Sequence, residues 1–180
     1  MKGIVAYEML VFDADPDNRI LAAEHGVGLE ALIYDPVPEV RRAVAMQGYQ
    51  LEVLLEDSDP LVAEAAKYMS YAKDDSAYYR WLAATHGFGL DILVHDPDWT
   101  VREAVAKQGF RLDILISDED EDVRAAVVKQ KYRLDILVND MSPFVRAAVA
   151  EQGYGLDVLI HDEDPYIYKI AKAALYAKNK

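Results

Sequence analysis

The chain has 180 residues, a length at which one domain buries roughly 70% of its unfolded surface and needs no covalent staple. Its 19 Lys+Arg stand against 32 Asp+Glu, a formal net charge of -13, which argues against sequence-independent attraction to nucleic-acid phosphates or anionic lipid. There is no Cys, so disulfides, thiolate nucleophiles and cysteine-ligated zinc or iron–sulfur clusters are excluded, and the redox compartment is left open.

In chain order, Met1 to Asp15 holds one Lys and an apolar stretch broken by Glu8 and Asp13. That is not the pattern of a secretory signal, and no later run approaches the ~20 apolar residues of a membrane span. The expectation is a cytoplasmic protein without membrane contact. From Asn18 onward the sequence repeats itself with a period of 22 residues, and such periods are the signature of stacked helical units. The clearest copies are Val101 to Asp118, Val123 to Asp140 and Val145 to Asp162. Weaker ones start at Asn18, Val40 and Tyr79, while Leu10 to Asp13 matches only the end of a unit.

Each unit is predicted to form two helices. Asp15, Asp59, Ser76, Asp98, Asp120, Ser142 and Asp164 are of the residue types that cap helix N-termini by accepting from first-turn N–H groups. Pro16, Pro60, Pro143 and Pro165 follow at the first helical position, where a missing N–H costs nothing. The first helix runs about ten residues, as Pro143 to Gln152, until a Gly and an apolar residue stop it: Gly48-Tyr49, Gly87-Phe88, Gly109-Phe110, Gly153-Tyr154. That pairing suits a left-handed helix end. Lys131 stands where this Gly is expected, at a predicted cost on the order of 1 kcal/mol if its backbone is left-handed. A shorter second helix is expected at Leu112 to Ser117 and its equivalents, with Leu112, Leu115 and Ile116 on one face.

Helices this short are marginal alone, so neighbouring units must stack. Val101, Val105, Leu112 and Leu115 are expected to pack against Val123, Val127, Leu134 and Leu137, with Ala104, Ala126 and Ala148 allowing close approach. The predicted fold is all-α: one solenoid over residues 1–180, built of about seven 22-residue two-helix repeats. One unit is irregular, because Asp57 reaches the next Asp of the repeated series, Asp74, after 17 residues without a Gly stop or short helix. Its text from Asp59 to Lys73 returns at the C-terminus as Asp164 to Lys178. The chain therefore reads as two blocks, 1–74 and 75–180, each closed by a single longer helix.

Six Asp/Arg pairs recur six residues apart: Asp13–Arg19, Asp35–Arg41, Asp74–Arg80, Asp96–Arg102, Asp118–Arg124 and Asp140–Arg146. Asp57 and Asp162 meet Ala63 and Tyr168 instead. This ladder resembles that of HEAT repeats, and the wording Asp-x-x-Pro-x-Val-Arg-x-Ala-Val-Ala is similar to the leucine-rich repeat variant, a short helical-repeat relative. The resemblance covers nearly the whole chain and implies an α-solenoid and, by analogy, scaffolding or partner binding. The 22-residue period is shorter than an ordinary HEAT unit. The ladder itself reads as structural, the carboxylates accepting forked bonds from Arg across the turn or in the adjacent unit.

Other rows have equally plain readings. Glu30, Glu52, Asp91, Asp113, Asp135 and Asp157 begin the short helices, where negative charge suits the helix N-terminus. Gln47, Gln108, Gln130 and Gln152 share one slot with His25 and His86, where amides can bond carbonyls of the next unit. His95 and His161 share another with Ser117 and Asn139. No third ligand accompanies either His pair, so no metal is expected, and no phosphate loop, nucleophile elbow, zinc-helix or EF-hand motif is present. The expectation is no catalytic residue and no cofactor. Tyr49, Tyr132, Tyr154, Phe88 and Phe110 are expected to be half buried as plugs at the helix stops. Tyr68, Tyr71, Tyr78, Tyr79 and Trp81 crowd the mid-chain junction, and Trp99 replaces Pro after a cap. These aromatics either fill an irregular core or anchor a partner. Tyr78, Tyr79, Trp81 and Trp99 are the candidate partner-binding residues, and a protein is the expected partner. Two alternatives are an acidic nucleic-acid mimic, from the charge, and a HEAT-like DNA glycosylase, for which Arg111 and Arg133 are the only supporting basic row.

Overall fold

The computed structural model describes residues 7–178. Among them lie fourteen helices and no strand, and none of these helices is long and apolar enough to cross a membrane. The chain divides into two compact units, Met1–Gly89 and Leu90–Lys180. The block boundary read from the sequence, after residue 74, falls inside the first.

The first unit contains α1 (Pro16–Glu24), α2 (Leu29–Leu32), α3 (Pro38–Met46), α4 (Leu51–Leu54), α5 (Pro60–Tyr71) and α6 (Ala77–Thr85). Long helices pack in succession, α1 on α3, α3 on α5 and α5 on α6, with each four-residue helix folded against its neighbours. The second unit contains α7 (Leu90–Leu93), α8 (Trp99–Lys107), α9 (Leu112–Leu115), α10 (Glu121–Lys129), α11 (Leu134–Leu137), α12 (Pro143–Glu151), α13 (Leu156–Leu159) and α14 (Pro165–Lys178). Here α8 packs on α10, α10 on α12 and α12 on α14. The short helices are a single turn, not the six residues expected at Leu112 to Ser117, because the chain must turn at once to place the aspartate that follows.

Six of the seven expected caps bond as predicted. Asp15, Asp59, Asp98, Asp120, Ser142 and Asp164 each accept from the N–H two residues on, at 2.8–3.1 Å. Ser76 holds the cap position of α6 but its side chain makes no capping bond. Val37 caps α3 by conformation alone, ahead of Pro38. At the other end, the Gly26 N–H bonds Ala23 and the Val27 N–H bonds Ala22, at 2.8 and 3.0 Å, which takes up the last carbonyls of α1. Lys131 shares that left-handed conformation, with φ 58°. A second left-handed slot, just before the short helix, is filled by Gln50, Arg111 and Arg133 as well as by Gly28 and Gly155.

The core is regular. The last leucine of every short helix, Leu32, Leu54, Leu93, Leu115, Leu137 and Leu159, is fully buried, each contributing about 1.5–3 kcal/mol of transfer free energy. Val101, Val105, Val123 and Val127 are fully buried as well, with Ala104 and Ala126 between them. Leu112 and Leu134 are half-buried. Of the helix-stop aromatics, Phe88 is buried and Tyr154 is exposed, departing in both directions from the half-burial expected. Another slot separates the nine-residue helices from the two longer ones. Ala23, Ala45, Ala84, Ala106, Val128 and Ala150 are at most 1% exposed, yet α5 and α14 place the exposed Lys67 and Lys172 there. These two helices, of 12 and 14 residues against nine, carry no short helix to cover the slot, so a long cation replaces alanine.

Candidate functional site

The Asp/Arg ladder runs as a connected chain within each unit. Arg19, Arg41, Arg102, Arg124 and Arg146 lie early in long helices and reach the end of the short helix that follows, where an aspartate 16 residues later accepts both Nε and Nη2. The Nε–carboxylate distances are 2.7 Å for Arg19–Asp35, Arg41–Asp57, Arg102–Asp118 and Arg146–Asp162, and 2.8 Å for Arg124–Asp140. The second arms, from Nη2, measure 2.8–3.0 Å. The pairs six apart meet differently from the sequence expectation. Arg19, Arg41, Arg80, Arg102, Arg124 and Arg146 donate from Nη1 to the main-chain carbonyls of Asp13, Asp35, Asp74, Asp96, Asp118 and Asp140, not to their carboxylates. The reason is geometric, since one guanidinium edge is filled by the carboxylate fork and the remaining donor meets a carbonyl at the helix entry. Asp57 and Asp162, which had looked like breaks in the ladder, are its terminal acceptors. The 16-residue spacing was available in the sequence and is the better signal.

Each such aspartate also accepts the N–H two residues on, as Asp35 does from Val37 at 2.9 Å and Asp140 from Ser142 at 2.8 Å. Arg19, Asp35, Arg41 and Asp57 thereby form a continuous chain in the first unit. Arg102, Asp118, Arg124, Asp140, Arg146 and Asp162 form another in the second. Among the described residues no buried side-chain nitrogen or oxygen lacks a partner. Burial pushes the Asp35 carboxyl up, but the bonds from Arg19 and the Val37 N–H hold it below the usual carboxylate range. Asp57 and Asp162 are lowered chiefly by the Arg41 and Arg146 hydrogen bonds, against burial. These acids are committed anions, unsuited to proton transfer near neutrality.

Several residues of the other polar rows are likewise engaged. Arg111 and Arg133 pair with Asp113 and Asp135 at 3.1 and 3.0 Å on the surface, so the basic row a DNA duplex would need is neutralised within the chain. His25 and His86 each bring Nδ1 to 2.8 Å from the carbonyl four residues back. Their rings stack on Tyr7 and Tyr68 at 3.8 and 4.1 Å. Gln130 donates to the Lys107 carbonyl of the preceding repeat at 2.9 Å. Ser142 donates to Glu121. Among the described residues no three His, Asp or Glu converge as metal ligands.

The aromatic residues of the junction form a continuous run of rings within the first unit. Phe88 stacks on Tyr68 at 5.2 Å, Tyr68 meets Tyr71 edge-on at 5.9 Å, and Tyr71 lies 4.8 Å from Tyr79. Tyr79 meets Tyr78 at 5.4 Å and Tyr78 stacks on Trp81 at 6.1 Å. Lys67 Nζ sits 5.5 and 5.8 Å from the Tyr68 and Tyr71 ring centres. The two sequence readings therefore divide along the run. Phe88 is core, Tyr68, Tyr71 and Trp81 are half-buried, and Tyr78 is 61% exposed beside an exposed Tyr79. Trp99 belongs to the second unit, at the first position of α8, and is exposed. The stacking of His86 and Phe88 on Tyr68 had no signal in the 22-residue pattern, because Tyr68 lies in the irregular repeat.

No family model and no curated protein matches the chain.

Proposed function

We propose that the chain is a non-enzymatic helical-repeat scaffold that binds a protein partner, its two units being segments of an α-solenoid like those of HEAT-like and leucine-rich-repeat-variant proteins. The observation that carries this reading is the exposed end of the ring run, Tyr78 and Tyr79 backed by Trp81 and Tyr71. Tyrosine and tryptophan supply large, stiff contact area at small ordering cost and dominate binding hot spots. The ladder supports the same reading, since it consumes the carboxylates and guanidiniums in holding helices and leaves a stiff frame on which exposed rings keep their place.

The test is capture from native extract at 150 and 500 mM salt with the wild-type chain and with a Tyr78→Ser/Trp99→Ser variant. Both changes are on exposed side chains and should leave the circular dichroism unchanged. The scaffold reading expects a protein retained by the wild type at both salt concentrations and lost by the variant. Equal retention by the two chains would overturn the assignment of these rings. Retention that vanishes at 500 mM salt would instead favour an acidic nucleic-acid mimic.

A further inference from the structure

A different face of the second unit carries its own recognition pattern, and the argument rests on the repeat reading above. The third residue of each short helix is apolar and points outward: Ile92, Ile136 and Val158 are 44–47% exposed, with Ile114 half-buried. These are β-branched residues at one slot of four consecutive repeats, and the fold does not require them there. In the first unit the same slot holds Ala31 and the exposed Val53.

Between successive short helices the surface is grooved. One groove of about 450 Å³ has Val94 and Ile114 on its walls, His95 and Ser117 along it, and Glu119 at its rim. Its equivalent 44 residues on, about 480 Å³, has Val138, Val158, Asn139, His161 and Glu163 in the corresponding places. The ladder lines both grooves, through Arg102 and Asp118 in one and Arg146 and Asp162 in the other. Charge on this face is net negative. Among the described residues Asp91, Asp157 and Glu163 make no ion pair there, and Glu119 stands 3.5 Å from Arg102, which is already committed to Asp118, while the other cations of the face, Arg111 and Arg133, are taken by Asp113 and Asp135. Glu119 is 89% exposed at its side chain.

The spacing selects a ligand conformation. Packed helices lie about 8–10 Å apart, so each repeat advances by about that interval and the two grooves, two repeats apart, by about twice it. A β-strand returns a side chain to the same face every ~6.6 Å. A polyproline II segment does so every third residue, ~9.3 Å, which matches. We infer that the short-helix face of residues 90–163 binds an extended, polyproline-type basic peptide, with an apolar side chain every third residue seated between the short helices and Lys or Arg between them facing Glu119, Glu163, Asp91 and Asp157.

Fluorescence anisotropy tests this with three labelled twelve-residue peptides built of four triplets: Ile-Lys-Pro, Ser-Lys-Pro and Ile-Glu-Pro. The full chain binds the Ile-Lys-Pro peptide at 50 mM salt. Binding weakens at least tenfold in an Ile136→Ser/Val158→Ser variant and at least tenfold in a Glu119→Lys/Glu163→Lys variant, whose thermal midpoints stay near wild type because all four side chains face water. Three outcomes overturn the inference: no binding of the Ile-Lys-Pro peptide up to 1 mM, equal binding of the Ser-Lys-Pro peptide, which is charge attraction alone, or preference for the Ile-Glu-Pro peptide. The Tyr78→Ser/Trp99→Ser variant separates this inference from the scaffold reading. It leaves peptide binding unchanged if the short-helix face is the site, and loss of binding in that variant with retention in Ile136→Ser/Val158→Ser would move the site to the rings.

Discussion

Arg124 offers the sharpest test of how the repeats are held. Its side chain is 8% exposed and makes four hydrogen bonds: 2.8 and 2.9 Å to the Asp140 carboxylate, and 2.8 and 3.2 Å to the carbonyls of Asp118 and Glu119. Arg124→Ala leaves the equally buried Asp140 carboxylate with only the Ser142 N–H and strips two carbonyls of a partner. Removing one member of a buried pair costs about 3–5 kcal/mol. The groove beside this strip of the ladder admits some water, so the lower end applies, about 3 kcal/mol. At roughly 2–4 °C per kcal/mol for a chain of this size, the thermal midpoint falls by about 6–12 °C. Arg124→Lys keeps the charge but loses the fork and recovers less than half of this. The surface pair Arg111–Asp113 is the control, and Arg111→Ala leaves the thermal midpoint near that of the wild type. Thermal and urea melts of the three variants read these differences. If Arg124→Ala melts within 2 °C of Arg111→Ala, the clamp does not hold the repeats and the stacking rests on apolar contacts alone.

Three further outcomes follow from the same structure. Lys131→Gly relieves a left-handed backbone at a non-glycine residue, and the urea midpoint should rise by the equivalent of about 0.5–1 kcal/mol, with the greater freedom of unfolded glycine offsetting part of the gain. Acid should weaken the fold through Asp35, Asp57 and Asp162. Their folded carboxyls titrate below the unfolded value of ~3.9, so their contribution is present above about pH 4 and lost as pH falls through the folded values. Urea melts from pH 6 to 2.5 follow this, and Arg41→Ala should remove the part owed to Asp57. Asp122, raised by burial and then by Asp120, Glu103 and Glu121, acts in the opposite sense: its contribution is present at low pH and lost as pH rises through its raised value. Finally, Ala106→Lys should cost more than 3 kcal/mol or prevent folding, since it forces an ammonium into a fully buried slot. Lys67→Ala, at the equivalent exposed slot, should move the midpoint by under about 0.5 kcal/mol, and equal effects of the two would refute the distinction between the nine-residue helices and the two longer ones.

The sequence is explicit about local structure because each repeat states it several times. The caps, the proline starts and the helix-stopping glycines lie where residue type and spacing place them, and the core leucines follow from periodicity. Ser76 departs from the pattern because a residue's type permits a cap bond without forcing its side-chain rotamer. The ladder was legible as a set of spacings and as forked carboxylate–arginine bonds, but which aspartate takes which arginine was not. The number six was the more visible, while the carboxylate contact runs at 16, and only the folded-back short helix shows which oxygen faces which nitrogen. Tyr68 was legible as a junction aromatic but its partners were not, because stacking on His86 and Phe88 depends on the path of α5 and α6, in a repeat whose spacing departs from the rest. The outward row of Ile92, Ile136 and Val158 was hidden for a different reason: at a helix of one turn, an apolar residue reads as core whichever way it points.

Asp35, Asp118 and Asp140 each serve two arginines, the carboxylate taking one and the main-chain carbonyl the next. The link is therefore made of atoms that any aspartate at that register supplies. Excising residues 119–140 would bring Arg146 to the carbonyl of Asp118 in place of that of Asp140, and duplicating the same stretch would insert one more identical rung. Length in such a chain is a free variable, changed in whole 22-residue steps without inventing a new interface.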